Sequence, residues 1–198
     1  MRGLLQGYDM IEIKRQSRRF AEMLATGLAT TGISPTSLTI IGFFLNLGVA
    51  AVLATGMLQV GGILLLLAGA FDTLDGALAR VTGRSTKFGA FLDSTLDRYS
   101  EAALFFGLSF AANRHGDSLV VLVAYLAVVG SLLVSYCRAR AEGVGLDCEI
   151  GIVPRPERVI LLGVGLIVGL ELPVLVLLAL LAHVTAFQRI WHVRQLTR

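Results

Sequence analysis

Val60-Gly-Gly-Ile-Leu-Leu-Leu-Leu-Ala-Gly-Ala-Phe71 runs without a break into Asp72-Thr-Leu-Asp75-Gly76-Ala-Leu-Ala79-Arg80. An apolar run with no turn signal, followed by carboxylates, predicts one helix with a greasy half and a polar half. The next segment has the reverse order. Gly89, Asp93 and Asp97 come first, and the apolar run Ala102 to Ala112 comes second. Both polar halves abut the same short loop, 82–87, so they lie at the same depth. Acids beside hydrocarbon are tolerated only around water or protein. The pattern therefore predicts two membrane helices framing a wet cavity at one membrane face.

The whole chain agrees with a membrane setting. Of its 198 residues 55% are hydrophobic and only 16% charged, and mean hydropathy is +0.76. That is too apolar for an ordinary soluble domain. The net charge of +3 does not point to nucleic acid, because the basic residues are dispersed between apolar runs and form no soluble basic face. Cys137 and Cys148 lack metal-type spacing and are expected as free thiols. The polar, basic start does not resemble a cleavable signal peptide.

The predicted fold is all-α and polytopic, with six transmembrane helices and an N-terminal interfacial amphipathic helix. The N-terminal cytoplasmic or interfacial segment is 1–32, and the six-helix domain is 33–198. Over 9–31, Met10, Ile11, Ile13, Phe20, Met23, Leu24 and Leu28 recur at helical spacing opposite Lys14, Arg15, Arg18 and Arg19, which suits an anionic lipid surface. The spans are read at 37–58, 60–81, 88–112, 118–142, 156–171 and 173–193, each near the roughly 20 residues that cross a bilayer, the fifth being short. Of 17 Lys and Arg, all but Arg114 fall on the side of the two termini. The positive-inside rule puts both termini and the aspartates in the cytoplasm of an inner or plasma membrane protein.

Around an ideal helix, Asp72, Asp75, Gly76, Ala79 and Arg80 fall in an arc of about 140°. Gly89, Asp93 and Asp97 form a second stripe at i, i+4, i+8. Two facing stripes would place four carboxylates round one point, where they repel unless cations sit between them. Hard divalent ions, Mg²⁺ or Mn²⁺, suit such oxygen donors, and two together can clamp an in-line phosphoryl displacement. Gly76, Ala79 and Gly89 leave room for a flat ligand against the backbone; helix packing alone would also explain them. The rival readings of the acids are a structural ion-pair network and a cation transporter. Against the transporter, the outer halves of the same helices carry no acids.

A second constellation lies on the same side. Ser135, Arg138 and Arg140 end the fourth span, Arg155 and Arg158 open the fifth, and Arg189 lies near the end of the sixth. Guanidinium forks match phosphate oxygens, so the set predicts a pocket for an acceptor that itself carries phosphate. Positive-inside anchoring is the plainer alternative for any single arginine. His183 reads as a buried polar group, Trp191 as an interfacial anchor, and Glu101, one turn after Asp97, as a support for the acids.

The string Asp72-x2-Asp75-Gly76-x2-Ala79-Arg80-x8-Gly89-x3-Asp93-x3-Asp97 resembles the signature of CDP-alcohol phosphotransferases at every fixed position. The resemblance implies a six-helix, usually homodimeric enzyme that moves a substituted phosphoryl group from a CDP-linked donor, typically CDP-diacylglycerol, to an alcohol, releasing CMP. It further implies that Asp72, Asp75, Asp93 and Asp97 bind metal, with Asp97 and Asp93 catalytic and Asp97 as the base. Gly76, Ala79, Arg80, Gly89, Thr39, Asp72 and Asp75 would bind the CDP-lipid, with Arg80 on the pyrophosphate. The family's Thr-Pro-Asn before the first span reads Ser34-Pro35-Thr36 here. The run from Ser135 to Glu142, with Arg155-Pro-Glu-Arg158, looks like prokaryotic phosphatidylinositol-phosphate synthases, which implies inositol 1-phosphate as acceptor. Glycerol 3-phosphate is the alternative, and an isoprenoid ether donor is the alternative lipid.

Overall fold

The computed structural model describes residues 21–198. Among these there are seven helices and no strand: α1 (helical residues 21–29), α2 (Pro35–Ala54), α3 (Leu58–Thr82), α4 (Lys87–Arg114), α5 (Ser118–Glu142), α6 (Arg155–Ile167) and α7 (Glu171–Leu196). Each of the six expected spans is a helix, with ends within about one turn of expectation. The greater part of the expected interfacial helix, including Met10, Ile11, Ile13, Phe20 and the basic residues 14–19, lies outside the described residues.

Four helices, α2, α3, α5 and α7, are long and apolar enough to cross a membrane. Of the six expected spans, these four meet the measure of length and composition among the described residues. α6 has only 13 residues, and at about 1.5 Å rise per residue it covers roughly 20 Å, less than the ~30 Å of hydrocarbon. α4 is long, but its N-terminal part, residues 87–101, carries Lys87, Asp93, Asp97, Arg98 and Glu101. The outer surface fits a protein with membrane-spanning helices: Phe44, Leu67, Phe106 and Phe187 are all more than half exposed. Lipid, unlike water, exacts no penalty for such a surface.

The chain forms two compact units. Among the described residues, one comprises 21–43 together with Ala70–Asp97; the other comprises Phe44–Gly69 with Arg98–Arg198. In the first, Ala21 and Ala25 of α1 pack on Leu38, Ala77 and Leu78, and the small side chains let the backbones approach. Ser34 caps α2, its Oγ accepting the Ser37 N–H at 3.0 Å, and Pro35 occupies the first turn where no N–H partner is needed. Gly83, at φ 65°, supplies the left-handed residue that ends α3. Thr86 then caps α4, accepting the Gly89 N–H at 2.9 Å.

In the second unit, Leu53, Leu65, Leu108, Leu166, Leu175 and Leu178 form the buried centre. Glycines set the helix approaches. Gly107 lies so close to the Ala50 carbonyl that a Cβ would overlap it, and a Cβ on Gly62 would meet the Gly163 carbonyl at 2.7 Å. Gly130 faces His183, whose Nδ1 is 2.9 Å from the Ala179 carbonyl; His183 is thus bonded within its own helix. Cys137 and Cys148 are free thiols, as expected.

Candidate active site

The first unit contains a cavity of about 230 Å³, and it is lined by residues from both arms of the signature. From α3 come Asp75, Gly76, Ala79 and Arg80; from α4 come Gly89, Ala90 and Asp93; from α2 come Thr36 and Thr39. The turn adds Arg84, Ser85 and Thr86. Seven of the residues singled out in the sequence therefore share one space.

Asp75 is fixed from two directions. Its Oδ2 accepts the Thr39 hydroxyl at 2.7 Å, and its Oδ1 accepts the Gly76 N–H. Thr39 has one hydroxyl proton, and the Pro35 carbonyl is a longer alternative acceptor at 3.2 Å. The wall carries no side chain where the glycines lie, and one added there would press on its neighbours. A Cβ on Gly76 would sit 3.4 Å from Arg80 Nη1; one on Gly89 would sit 3.0 Å from Thr86 Oγ1 and 3.8 Å from Thr36 Oγ1. Arg80 is half-exposed at the rim, its Nε 3.9 Å from Glu22. A contact that long between exposed groups is weak and leaves the guanidinium available.

The four aspartates are not equivalent. Asp75 and Asp93 line the cavity. Asp72 directs Oδ1 toward Gly42, where an added Cβ would lie 2.6 Å from it, and Asp97 is not among the lining residues. Among the described residues no three His, Cys, Asp or Glu side chains form a group that could hold a metal ion. Of the four carboxylates expected round one point, Asp75 and Asp93 share this cavity, and Asp75 is bonded to Thr39. The donors are nonetheless suited to a hard cation. Two carboxylates and the hydroxyls of Thr36, Thr39, Ser85 and Thr86 offer only oxygen, and Mg²⁺ or Mn²⁺ typically completes such a shell with substrate phosphate.

The arginines of the second unit divide into two kinds. Arg158 is 2% exposed. Its Nε and Nη2 donate to the two Glu101 oxygens at 2.8 and 3.0 Å, and Nη1 donates to the Val153 carbonyl at 3.2 Å. Arg189, 4% exposed, donates through Nε to the Ile150 carbonyl at 2.8 Å and through Nη1 to the Val134 carbonyl. In this arrangement both are braces inside the fold. Arg138 and Arg140 are different: Arg138 is 43% exposed at its side chain, and Arg140 is exposed. Ser135 and Arg155 are half-buried.

Residues 33–191 match the family model of the CDP-alcohol phosphatidyltransferases. The chain belongs to that family. It is thus a transferase of phospholipid biosynthesis, and the transporter reading falls away. It is 36% identical over 185 residues to the archaetidylinositol phosphate synthase of Pyrococcus horikoshii, covering 93% of this chain and 96% of that protein. It is 38% identical over 180 residues to the phosphatidylinositol phosphate synthase of Mycobacteroides abscessus, covering 86% and 82%. The crystal structure of Mycobacterium tuberculosis phosphatidylinositol phosphate synthase with CDP-DAG bound superposes with a TM-score of 0.81 at 34% identity, covering 88% of this chain and 94% of that one. The same enzyme in complex with manganese and citrate gives 0.80 at 34% identity, with 87% and 88% covered.

Some lining residues went unread in the sequence. Thr86 carried a signal, since a Ser-Thr pair just before a helical run marks an N-terminal cap. Arg84 carried none. Nor did any local pattern link Glu101 to Arg158, which are 57 positions apart.

Proposed function

We propose that this protein transfers the lipid-bearing phosphoryl group of a CDP-linked glycerolipid to inositol 1-phosphate, producing a phosphatidylinositol-type phosphate and CMP. The observation that carries the acceptor is shared by two sets of relatives. Archaeal archaetidylinositol phosphate synthases and mycobacterial phosphatidylinositol phosphate synthases differ in the lipid named, but both names contain inositol phosphate. Exposed arginines at the end of α5 suit an acceptor that carries its own phosphate.

The cavity walled by Gly76, Ala79 and Gly89 receives the nucleotide, and Arg80 binds its pyrophosphate. Thr39 holds the Asp75 carboxylate in place. Asp72, Asp75, Asp93 and Asp97 are the proposed ligands of divalent metal, two ions of Mg²⁺ or Mn²⁺, which would neutralise the pyrophosphate when bound. Asp97 takes the proton of the acceptor hydroxyl. The hydroxyl oxygen bonds to the phosphorus that bears the lipid, the bond from that phosphorus to the CMP oxygen breaks, and CMP leaves. Ser135, Arg138, Arg140 and Arg155 receive the acceptor phosphate, with Arg158 and Arg189 bracing the segment that carries them. The assembly is read as a homodimer with six membrane-embedded helices, both termini and the site on the cytoplasmic side.

The test is CMP release from detergent-solubilised protein with Mn²⁺ or Mg²⁺ and CDP-diacylglycerol, with either inositol 1-phosphate or glycerol 3-phosphate added. Release that depends on inositol 1-phosphate is the expected result. Release with glycerol 3-phosphate alone would reassign the protein as a phosphatidylglycerophosphate synthase. Replacing the donor by its isoprenoid ether counterpart identifies the lipid.

A further inference from the structure

Arg138 is the most accessible of the expected phosphate-binding arginines that have a defined partner, and that partner is an imitation of phosphate. Its Nε donates to Glu142 Oε1 at 2.7 Å and its Nη2 to Glu149 Oε1 at 3.0 Å. The Nε–Nη2 edge is the edge that grips a phosphate with two parallel bonds. Here it is occupied by two carboxylates. Glu142 belongs to the same helix, one turn on, and stays beside Arg138 in any state of the loop. Glu149 comes from the connection of residues 143–154 between α5 and α6.

Glu149 is placed there by its neighbours. Cys148 before it is fully buried. Ile150 after it has its carbonyl held by Arg189 at 2.8 Å. Gly151 lies against Thr185 and Arg189, where a Cβ would be 2.5 Å from Thr185 Cγ2. Val153 is held by Arg158 at 3.2 Å. The backbone on both sides is fixed, so the 149 side chain is aimed, although it is itself 72% exposed.

We infer that Glu149 is a built-in competitor for the acceptor phosphate, and so a specificity-determining residue for the acceptor. This rests on the proposed role of Arg138. An acceptor must displace the Glu149 carboxylate from the guanidinium before it binds. A phosphate, with a second negative charge at neutral pH, can do so; a neutral alcohol of the same shape cannot. The carboxylate therefore weakens every acceptor by the modest factor of an exposed ion pair, and favours those whose own phosphate can take its place.

The experiment measures KM for inositol 1-phosphate at saturating CDP-diacylglycerol and fixed ionic strength, in the full-length protein. Four variants accompany it: Glu149→Gln, Arg138→Ala, the double variant, and Asp147→Asn. Asp147 is exposed on the same connection and is not bonded to Arg138, so it controls for bulk charge. Glu149→Gln is expected to lower KM roughly two- to fivefold, the range of an exposed ion pair, with kcat unchanged. Inhibition by inorganic phosphate should strengthen by the same factor. Asp147→Asn should leave both as they were, and Glu149→Gln should have no effect once Arg138 is alanine. If Arg138→Ala raises KM but Glu149→Gln does not lower it, or Asp147→Asn lowers it equally, the competitor is refuted while the role of Arg138 stands. If Arg138→Ala leaves KM unchanged, the assignment of Arg138 to the acceptor is itself wrong.

Discussion

Replacing Arg158 by alanine should destabilise the protein far more than it weakens acceptor binding. The guanidinium is 3% exposed and the Glu101 carboxylate 9% exposed at the side chain. Removing the arginine leaves a carboxylate buried with its two bonding partners gone and the Val153 carbonyl without its donor. Breaking a buried ion pair from one side costs about 3–5 kcal/mol. At about 2–4 °C per kcal/mol for a chain of this size, the melting temperature should fall by roughly 6–20 °C. Circular dichroism at 222 nm, in one detergent and at one scan rate, reads this directly. Glu101→Gln should lose a similar amount. The double variant Glu101→Met with Arg158→Leu should recover most of it, because an apolar pair of similar volume removes both charges together. The reasoning fails if Arg158→Ala melts within about 2 °C of wild type while its acceptor KM rises tenfold. That result would mean the guanidinium faces the acceptor and not Glu101.

Three other expectations concern the rest of the molecule. Asp75→Asn should lower metal-dependent CMP release by about 10²–10³-fold, as loss of a charge-stabilising group does, whereas Thr39→Val, which removes only the 2.7 Å bond to Asp75, should lower it by roughly tenfold, an ordinary hydrogen-bond effect; metal-titrated turnover checks both. Gly107→Ala should lower thermal stability by about 1–3 kcal/mol of overpacking, because the added methyl meets the Ala50 backbone, which cannot rotate aside; the same melting assay checks it.

The parts of this protein that follow local rules were legible in its sequence. The helices of the spanning segments could be read because apolar runs and caps are local, and Gly83 falls in the short loop read at 82–87. The cavity could be read because Asp75, Gly76, Ala79 and Arg80 share a helical arc, and Gly89 and Asp93 a stripe. Two things were not legible. Helical spacing alone could not show that Asp72 turns toward Gly42 while Asp75 and Asp93 line the cavity, since an arc of about 140° spans more than one wall. The arginines looked alike as a set, but burial separates them. Arg158 and Arg189 meet a distant carboxylate and main-chain carbonyls, partners that no window of sequence contains.

The way the 143–154 connection is fastened has an evolutionary consequence. Both buried arginines grip it through peptide oxygens, at Ile150 and Val153. Every amino acid brings the same oxygen, so the anchor points are blind to what hangs from them. Substitutions can accumulate at its exposed positions, such as Asp147, Glu149 and Ile150, while the two guanidinium groups that hold it remain unable to change.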